Sequence, residues 1–217
     1  MVANGSNLAT RVSNSPRFFG RRKGRPLKNA TKRLLAEKLP KLLFDPLKPI
    51  SDHFGYNSDC YLEIGFGGGE HLAELAHVKP NCHFIGAEPF INGVASLLRH
   101  IDRRDLRNIR IWPDDVRLIL PLIAPRSLAG VFIMFPDPWP KKRHFKRRLI
   151  DKLFFDKIHK YLKKGSKINI ATDSKSYISQ ILETIHHIKE DYKWINQSKS
   201  DWDYNPEILP ETKYYKK

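Results

Sequence analysis

A glycine-rich turn with an acid before it is the first feature of the sequence that could do chemistry. It reads Glu63-Ile64-Gly65-Phe66-Gly67-Gly68-Gly69 and joins a strand-like segment to a helical one. Glycines suit a tight turn that a ligand must approach without a Cβ in the way. The dinucleotide pattern G-x-G-x-x-G fails because Glu70 stands where its third glycine belongs, and an acid there would repel a pyrophosphate. The turn therefore predicts a ligand-binding loop and disfavours a nicotinamide dehydrogenase.

Acidic residues end or follow three successive predicted strands. Glu63 lies at the end of the first, Glu88 ends the second, and Asp114 and Asp115 follow the third. A carboxylate at the tip of the second strand can accept hydrogen bonds from both ribose hydroxyls of a nucleoside. Because the carboxyl ends of parallel strands meet at one sheet edge, we expect these acids to converge on one crevice. The set predicts a nucleoside site, although each acid alone is more often a helix cap or loop residue.

A proline-rich loop, Phe135-Pro136-Asp137-Pro138-Trp139, interrupts a buried strand-like segment. Each proline fixes its own φ and restricts the residue before it, so the loop is stiff. A stiff loop loses little entropy when it holds a planar base. We expect Asp137 beside the crevice and Trp139 as a stacking face. The alternative is a structural turn with Trp139 packed in the core.

Six permanent cations follow this loop directly, within residues 141–148. A charge run is usually a solvated surface, but this one adjoins the predicted site and indicates a phosphate-binding patch. The whole chain carries a formal charge of +16, which favours a polyanionic partner over a merely soluble basic protein or a peripheral membrane binder. The predicted contacts to a nucleic-acid backbone are Arg21, Arg22, Lys142, Arg143, Lys146, Arg147 and Arg148.

Short apolar segments alternate with segments of helical periodicity from residue 58 onward. Strands are predicted over residues 60–64, 83–87, 109–112, 131–135 and 168–171, and helices over residues 70–78, 91–101, 116–123, 149–162 and 177–189. This alternation is typical of parallel βαβ units, so we predict an α/β fold with a doubly wound, mostly parallel sheet and helices on both faces. Residues 193–196 and 212–215 are candidates for a closing hairpin.

The chain divides into three predicted parts. Residues 1–33 form a basic arm with too few apolar side chains to offset chain entropy, so we expect disorder in the free protein. Its glycines and Pro26 oppose an amphipathic helix, which favours an RNA-binding arm over a mitochondrial transit peptide. Residues 34–57 form a short helical lead-in, interrupted at Pro40, and a linker. Residues 58–217 form the α/β domain.

Composition excludes several classes of protein. No apolar run approaches the ~20 residues of a membrane span, so a soluble protein is expected. The two cysteines, Cys60 and Cys82, begin apolar segments and are interpreted as core residues, which excludes a disulfide framework and a cysteine-rich zinc site. We therefore expect no metal, a reducing cytoplasm, and a monomer or homodimer without an obligatory partner subunit.

From Arg17 to about Tyr215, the sequence resembles the tRNA (guanine-N7-)-methyltransferase family. The resemblance rests on the glycine turn, on the proline loop with its basic run, and on the motifs Gly20-Arg21-Arg22-Lys23-Gly24-Arg25, Ala171-Thr172-Asp173 and Thr212-Lys213-Tyr214. The proline loop with its basic run is highly specific, whereas the glycine turn alone is not. The resemblance implies a Rossmann-like class I methyltransferase fold, S-adenosylmethionine as cofactor and tRNA as partner, with 7-methylguanosine formed at position 46 of the variable loop.

The resemblance also implies roles for individual residues. Asp137 would be catalytic, and the cofactor would be bound by Glu63, Gly65, Gly67, Gly69, Glu88, Asp115 and Asp137. Substrate contacts are implied for Lys141, Asp173, Thr212, Lys213, Tyr214 and Tyr215. The family usually closes its last motif with Glu where this chain has Tyr215, which puts any role of that carboxylate in doubt.

Methylation of guanine N7 makes limited demands on a protein. N7 carries an in-plane lone pair and no proton, so positioning and electrostatics matter more than a strong base. The neighbouring O6 is an acceptor and calls for a cation, for which Lys141 is the candidate. Asp137 or Asp173 is expected to read the N1–H and N2–H₂ donors. The alternatives are another RNA methyltransferase, acting on rRNA or a base amino group, and a catalytically idle RNA-binding module.

Overall fold

The computed structural model describes residues 18–202 and is built around a five-stranded parallel sheet. The strands are β1 (Cys60–Ile64), β2 (His83–Ala87), β3 (Ile109–Trp112), β4 (Leu128–Met134) and β5 (Leu162–Ala171). The helices are α1 (Asn29–Leu42), α2 (Ile50–Phe54), α3 (Glu70–Val78), α4 (Ile91–Arg104), α5 (Val116–Ile119), α6 (Lys152–His159) and α7 (Lys175–His187). The predicted α/β fold is confirmed.

The sheet order is β3-β2-β1-β4-β5, with every neighbouring pair parallel. In register, Leu62 of β1 lies opposite Ile85 of β2 on one side and Val131 of β4 on the other. The chain therefore winds outward from β1 to β3, then returns to the other side of β1 for β4 and β5. The loops after β1 and β4 consequently part from one another at the topological switch point, where open α/β sheets bind ligands.

Two layers of apolar side chains cover the sheet, because alternate residues of each strand point to opposite faces. One face packs against α5, α6 and α7, with Ile133 of β4 and Tyr177 of α7 fully buried in that layer. The other packs against α3 and α4, where Leu72 and Leu97 are fully buried. Both faces of the central strands are thus covered by packed side chains, as their mostly apolar sequences require.

The lead-in region departs from the prediction. Helix α1 begins at Asn29 and runs through Pro40 to Leu42, so the predicted boundary at residue 33 lies inside a helix and the predicted interruption at Pro40 is wrong. Proline removes one backbone donor near the end of the helix. The helix continues because its leucines, including Leu39 and Leu42, pack against the α3–α4 layer. Residues 18–28 contain neither helix nor strand, and the disorder expected for residues 1–33 stays a prediction.

The elements after β3 also differ from their predicted bounds, and three of the differences are large enough to describe. The predicted helix 116–123 ends its α-helical part at Ile119 and finishes as a 3₁₀ turn containing Pro121. Helix α6 covers only Lys152–His159, because the Asp151 side chain caps it by accepting the Phe154 N–H at 2.8 Å. β5 begins at Leu162, six residues earlier than predicted. Residues 193–196 form no strand, and residues 212–215 lie outside the described part of the chain.

No helix within residues 18–202 is long and apolar enough to cross a membrane. In the same residues, no group of three or more histidine, cysteine, aspartate or glutamate side chains could hold a metal ion.

Candidate active site

A cavity of about 870 Å³ opens at the carboxyl edge of the sheet, at the switch point between β1 and β4. Its volume falls in the range of roughly 300–1,000 Å³ that is usual for small-molecule sites. The cavity is lined by nine of the residues predicted from sequence, together with others from the same loops. These nine are Arg21, Glu63, Gly65, Gly67, Glu88, Asp115, Asp137, Trp139 and Arg147. The acids from four different strands thus converge as their positions predicted.

The glycine loop wraps the inner end of this cavity. Gly65, Gly67 and Gly69 all have positive φ, at 71°, 55° and 80°, a backbone conformation that costs other residues about 1–2 kcal/mol. Around Gly65, the space that a Cβ would occupy is empty, so the loop presents bare backbone to a ligand. Gly69 does not line the cavity; it stands at the start of α3, where a Cβ would press on Leu97. Its role is to let α3 pack against α4.

Glu88 holds the glycine loop in place. Its two carboxylate oxygens accept the backbone N–H groups of Gly67 and Phe90, each at 2.8 Å. Burial raises the pKa of Glu88, the two N–H donors oppose that rise, and the charges of Asp137 and Glu63 add to it. These carboxylates therefore repel one another, and a cationic ligand would relieve that repulsion. Each Glu88 oxygen retains acceptor capacity for such a ligand.

The two acids after β3 are engaged by arginines. Asp115 is buried, caps α5 through the Arg117 N–H, and also accepts the Arg117 guanidinium, with a 2.6 Å contact to Nη2. Asp114 forms an ion pair with Arg22, with 2.7 Å between Asp114 Oδ1 and Arg22 Nη1. Asp115 therefore shapes this wall of the cavity mainly as a helix cap, and its carboxylate is already well supplied with donors.

A buried histidine that the sequence analysis did not single out completes the inner wall. His71 Nδ1 lies 2.7 Å from a carboxylate oxygen of Glu63, and both side chains are buried. The His71 ring also meets the edge of Phe132, while its Nε2 is buried without a hydrogen-bond partner among the described residues. In the tautomer that carries its proton on Nδ1, the ring donates this hydrogen bond to the Glu63 carboxylate. Its place in the first turn after the glycine loop was the available sequence signal.

The proline loop forms the outer wall. It is bounded by Phe135 and Trp139, which both have positive φ, at 51° and 41°. The Phe135 N–H donates to the Ala171 carbonyl at 2.8 Å, which anchors the start of the loop to the end of β5. Between these two points, Asp137 is exposed and faces the cavity. Non-glycine residues in this backbone region are uncommon and often mark functional loops.

The basic run forms a 3₁₀ segment, Lys142–Arg147, whose members differ in exposure. Its exposed cations are Lys142, Arg143 and Lys146. Arg147 lies against the cavity, its guanidinium 5.0 Å from the ring centres of both Phe19 and Trp139. Burial, followed by the neighbouring cations, lowers the pKa of His144 in the same segment. An exposed positive surface thus adjoins the acidic cavity.

Arg148 does not belong to the phosphate-binding surface, so this part of the predicted patch is wrong. Its side chain is buried, and its guanidinium donates to backbone and side-chain acceptors on the proline loop and α7. It cannot contact a phosphate in this conformation. The sequence places it in a run of cations, but the chain turns after Phe145 and directs this one inward.

Residues 18–25 of the arm pass over the mouth of the cavity. The Arg22 carbonyl accepts the N–H of Ile91 at 3.0 Å, and the Gly24 N–H donates to Asn92 Oδ1 at 2.9 Å, which fixes the segment to the start of α4. Arg21 lines the cavity and is exposed. Arg21 therefore lies at the same cavity as Arg147 of the basic run, although more than a hundred residues separate them in sequence.

Two further predicted substrate contacts lie outside the cavity, and four lie outside the described part of the chain. Lys141 and Asp173 are exposed and do not line the cavity. Lys141 directly follows the proline loop, which does line it, whereas the segment after β5 that carries Asp173 does not border the cavity. Thr212, Lys213, Tyr214 and Tyr215 lie outside the described residues.

Known proteins share this combination of sequence features. A family model described as "Putative methyltransferase" matches residues 57–217. A tRNA (guanine-N(7)-)-methyltransferase of Paramagnetospirillum magneticum is 42% identical over 81% of this chain and 75% of its own length. One from Hyphomonas neptunium is 39% identical over 93% of each chain. A solved 30S ribosomal A1408 methyltransferase from an uncultured bacterium, 14% identical, superposes with a TM-score of 0.49 over 78% of this chain and 85% of its own, too distant to indicate an activity.

The relatives match most of this chain and most of their own length, and the family model spans the described sheet and cavity from residue 57 onward. Identity at this level over most of both chains indicates a common fold. The chain belongs to the tRNA (guanine-N(7)-)-methyltransferase family.

Proposed function

We propose that the protein transfers a methyl group from S-adenosylmethionine to N7 of a guanine in tRNA, at position 46 of the variable loop. The observation that carries the proposal is the juxtaposition of an acidic cavity at the switch point with an exposed cationic surface at its mouth. A small cationic cofactor suits the first, and a polyanionic substrate suits the second. The names of the relatives supply the specific reaction.

The residues of the cavity fit this cofactor. Gly65 offers bare backbone with open space, and Glu88 offers acceptor capacity for ribose hydroxyls. Glu63, held by His71, is an acceptor for an ammonium group. The carboxylates together complement a molecule that carries both a sulfonium and an ammonium charge. Asp115 is proposed to border the adenine, with its carboxylate oriented by Arg117.

When bound, S-adenosylmethionine supplies a methyl group that the N7 lone pair attacks, so that the N–C bond forms as the S–C bond breaks. Guanine gains a positive charge in this step and loses no proton. Asp137 is proposed as the catalytic residue, because its carboxylate lies at the cavity mouth and can stabilise that developing charge. The stiff loop around it holds the base with little ordering entropy, and Trp139 offers a ring for stacking.

Guanine recognition is proposed to involve residues on both sides of the loop. Lys141 directly follows the proline loop and would place a cation near O6. Because Asp137 faces the cavity, Asp173 is left as the acid for the N1–H and N2–H₂ edge. The segment Thr212, Lys213, Tyr214 and Tyr215 is proposed to add substrate contacts. Arg21, Arg22, Lys142, Arg143, Lys146 and Arg147 would hold the tRNA backbone. A cytoplasmic location and a monomer or homodimer complete the proposal.

The deciding experiment incubates the protein with labelled S-adenosylmethionine and an unmodified tRNA transcript, then digests the RNA and identifies the methylated nucleoside and its position. The expected product is 7-methylguanosine at position 46, absent when that guanine is replaced by adenine. N2-methylguanosine, or label in rRNA but not in tRNA, would instead support a different RNA methyltransferase. No transfer, combined with no thermal shift on adding S-adenosylhomocysteine, would indicate an idle binding module.

A further inference from the structure

Arg148 ends the basic run, yet it is the member that the fold hides. Its side chain is only 4% exposed, whereas Lys142, Arg143 and Lys146 are exposed. None of the ion pairs among the described residues involves it, so its charge is held by neutral acceptors alone. A buried charge without a counterion is costly unless many hydrogen bonds satisfy it. Such a residue needs an explanation other than phosphate binding.

The guanidinium makes four hydrogen bonds that join two separate elements. Nε donates to the Pro138 carbonyl at 2.7 Å, on the proline loop. The other three reach the first turns of α7: Nη1 donates to the Ser176 carbonyl at 3.0 Å and to Gln180 Oε1 at 2.8 Å, and Nη2 donates to Ser176 Oγ at 2.8 Å. Only the planar fork of arginine presents donors in this arrangement; lysine has one point of charge.

Aromatic rings fix the plane of the same guanidinium. Its carbon lies 3.7 Å from the centre of the Phe145 ring and 4.8 Å from that of Tyr177. The Tyr177 hydroxyl in turn accepts the Ile150 N–H at 2.9 Å, just beyond Arg148 in sequence. The Arg148 guanidinium is therefore held by hydrogen bonds at its edge and by aromatic rings on its face. This leaves little freedom to the Pro138 carbonyl that it binds.

The carbonyl that accepts the Arg148 Nε hydrogen bond belongs to Pro138, the residue directly after Asp137. We propose that Arg148 is a positioning residue, which fixes the loop carrying Asp137 to the start of α7 and so sets where the carboxylate stands over the cavity. The inference rests on the proposed function for the identity of the reaction. Because α7 begins two residues after Asp173, the same guanidinium also sets the distance between the two acidic loops, after β4 and β5.

The test compares Arg148→Lys with Arg143→Gln, a change to an exposed cation of the same run. For R148K, we expect kcat to fall on the order of tenfold or more, with the KM for tRNA changed less than about twofold and the salt dependence of tRNA binding unaltered. R143Q, which alters a proposed phosphate contact, should raise the KM for tRNA and reduce the salt slope by roughly one unit or less. Lys157→Gln, on the exposed side of α6, is the variant expected to leave both kcat and KM near their wild-type values. The reverse pattern, R148K weakening tRNA binding at unchanged kcat, would overturn the proposal.

A second readout does not depend on the reaction. Hydrogen–deuterium exchange of a peptide covering residues 135–141 should accelerate in R148K and stay at the wild-type rate in R143Q. If the wild-type protein makes no 7-methylguanosine but this exchange difference holds, the proposed reaction fails while the positioning role stands; unchanged exchange in R148K removes the positioning role. Should R148K fail to fold, Ser176→Ala removes a single acceptor, and the same exchange change, smaller in size, is expected.

Discussion

Glu88, the residue after β2, accepts a 2.8 Å hydrogen bond from the backbone N–H of Gly67, in the loop after β1. One carboxylate therefore shapes the glycine loop from a neighbouring strand, and the same group faces the cavity in which a nucleoside is proposed to bind. This makes Glu88 both a structural and a ligand-binding residue, so its replacement should affect stability and cofactor affinity together.

For Glu88→Gln, we expect cofactor affinity to fall about 10- to 100-fold and the free energy of unfolding to fall by about 1–3 kcal/mol. The amide supplies one acceptor atom for two backbone donors, so one of them is left unsatisfied. Isothermal titration with S-adenosylhomocysteine and a thermal melt measure the two effects. Glu183→Gln, at an exposed position on α7, should change neither; an E88Q protein with wild-type affinity would remove Glu88 from the binding site.

Gly93→Ala should displace the glycine loop, which packs against the start of α4. A Cβ at Gly93, in the first turn of α4, would overlap the carbonyl oxygen of Gly67 and must push the loop aside. We expect a loss of stability of about 1–3 kcal/mol, together with weaker cofactor binding. Gly165→Ala is the matched control, because Gly165 has a positive φ but open space around it. That change should cost about 1–2 kcal/mol of stability through backbone strain and leave affinity intact.

Asp137→Asn should lower kcat on the order of a hundredfold while leaving the KM for tRNA almost unchanged. The amide keeps the size of the side chain but removes the charge that faces the base as it becomes cationic. Single-turnover methylation and filter binding separate the two quantities. Asp173→Asn serves for comparison and should mainly raise the KM for tRNA. If the tRNA affinity of D137N falls as far as its kcat, Asp137 binds the substrate and does not act mainly on the transition state.

Replacing Lys142, Arg143 and Lys146 together with Gln should weaken tRNA binding uniformly and flatten its salt dependence. Each phosphate contact that is lost removes up to about one unit from the slope of log K against log salt. Cofactor affinity should not change, since none of the three side chains lines the cavity. Lys157→Gln, on the exposed side of α6, is the control. An unchanged salt slope in the triple variant would place the tRNA elsewhere.

His83 should make the protein less stable in mild acid. The ring is fully buried at the start of β2, stacks on Phe54 at 4.0 Å, and has no hydrogen-bond partner for either nitrogen among the described residues. Burial, and then the charge of Arg110, lower its pKa. The unfolded chain therefore binds more protons below the ordinary histidine pKa of 6.5, so stability is complete above that pH and declines as pH falls through it.

The measurement is the melting temperature of wild type and His83→Phe between pH 8 and pH 5. The variant keeps an aromatic ring against Phe54 but has no titrating group, so its melting temperature should decline less. Some decline will remain, because burial also lowers the pKa of His100 on α4. Equal pH slopes for the two proteins would contradict the assignment.

The sequence by itself determined the strands and the acids at their tips. β1, β2 and β3 have the predicted bounds, because short apolar runs that are flanked by turn residues have no other way to be buried. Parallel topology then brings Glu63, Glu88 and Asp137 to one edge without further information, since every strand of a βαβ sheet ends on the same side. The glycine and proline loops could be located for the same reason.

Only the tertiary structure decided which polar side chains turn inward. Arg148 and Arg143 are alike in sequence context, but the 3₁₀ segment Lys142–Arg147 leaves Arg143 exposed, and Arg148, the residue after the segment, turns inward to neutral acceptors on the proline loop and α7. His71 meets Glu63 across eight residues because α3 folds back over β1. Such pairings depend on the position of a neighbouring element to within about 1 Å, since hydrogen bonds weaken steeply beyond their optimal geometry. The spacing of residues along the chain does not determine the position of a neighbouring element to that precision.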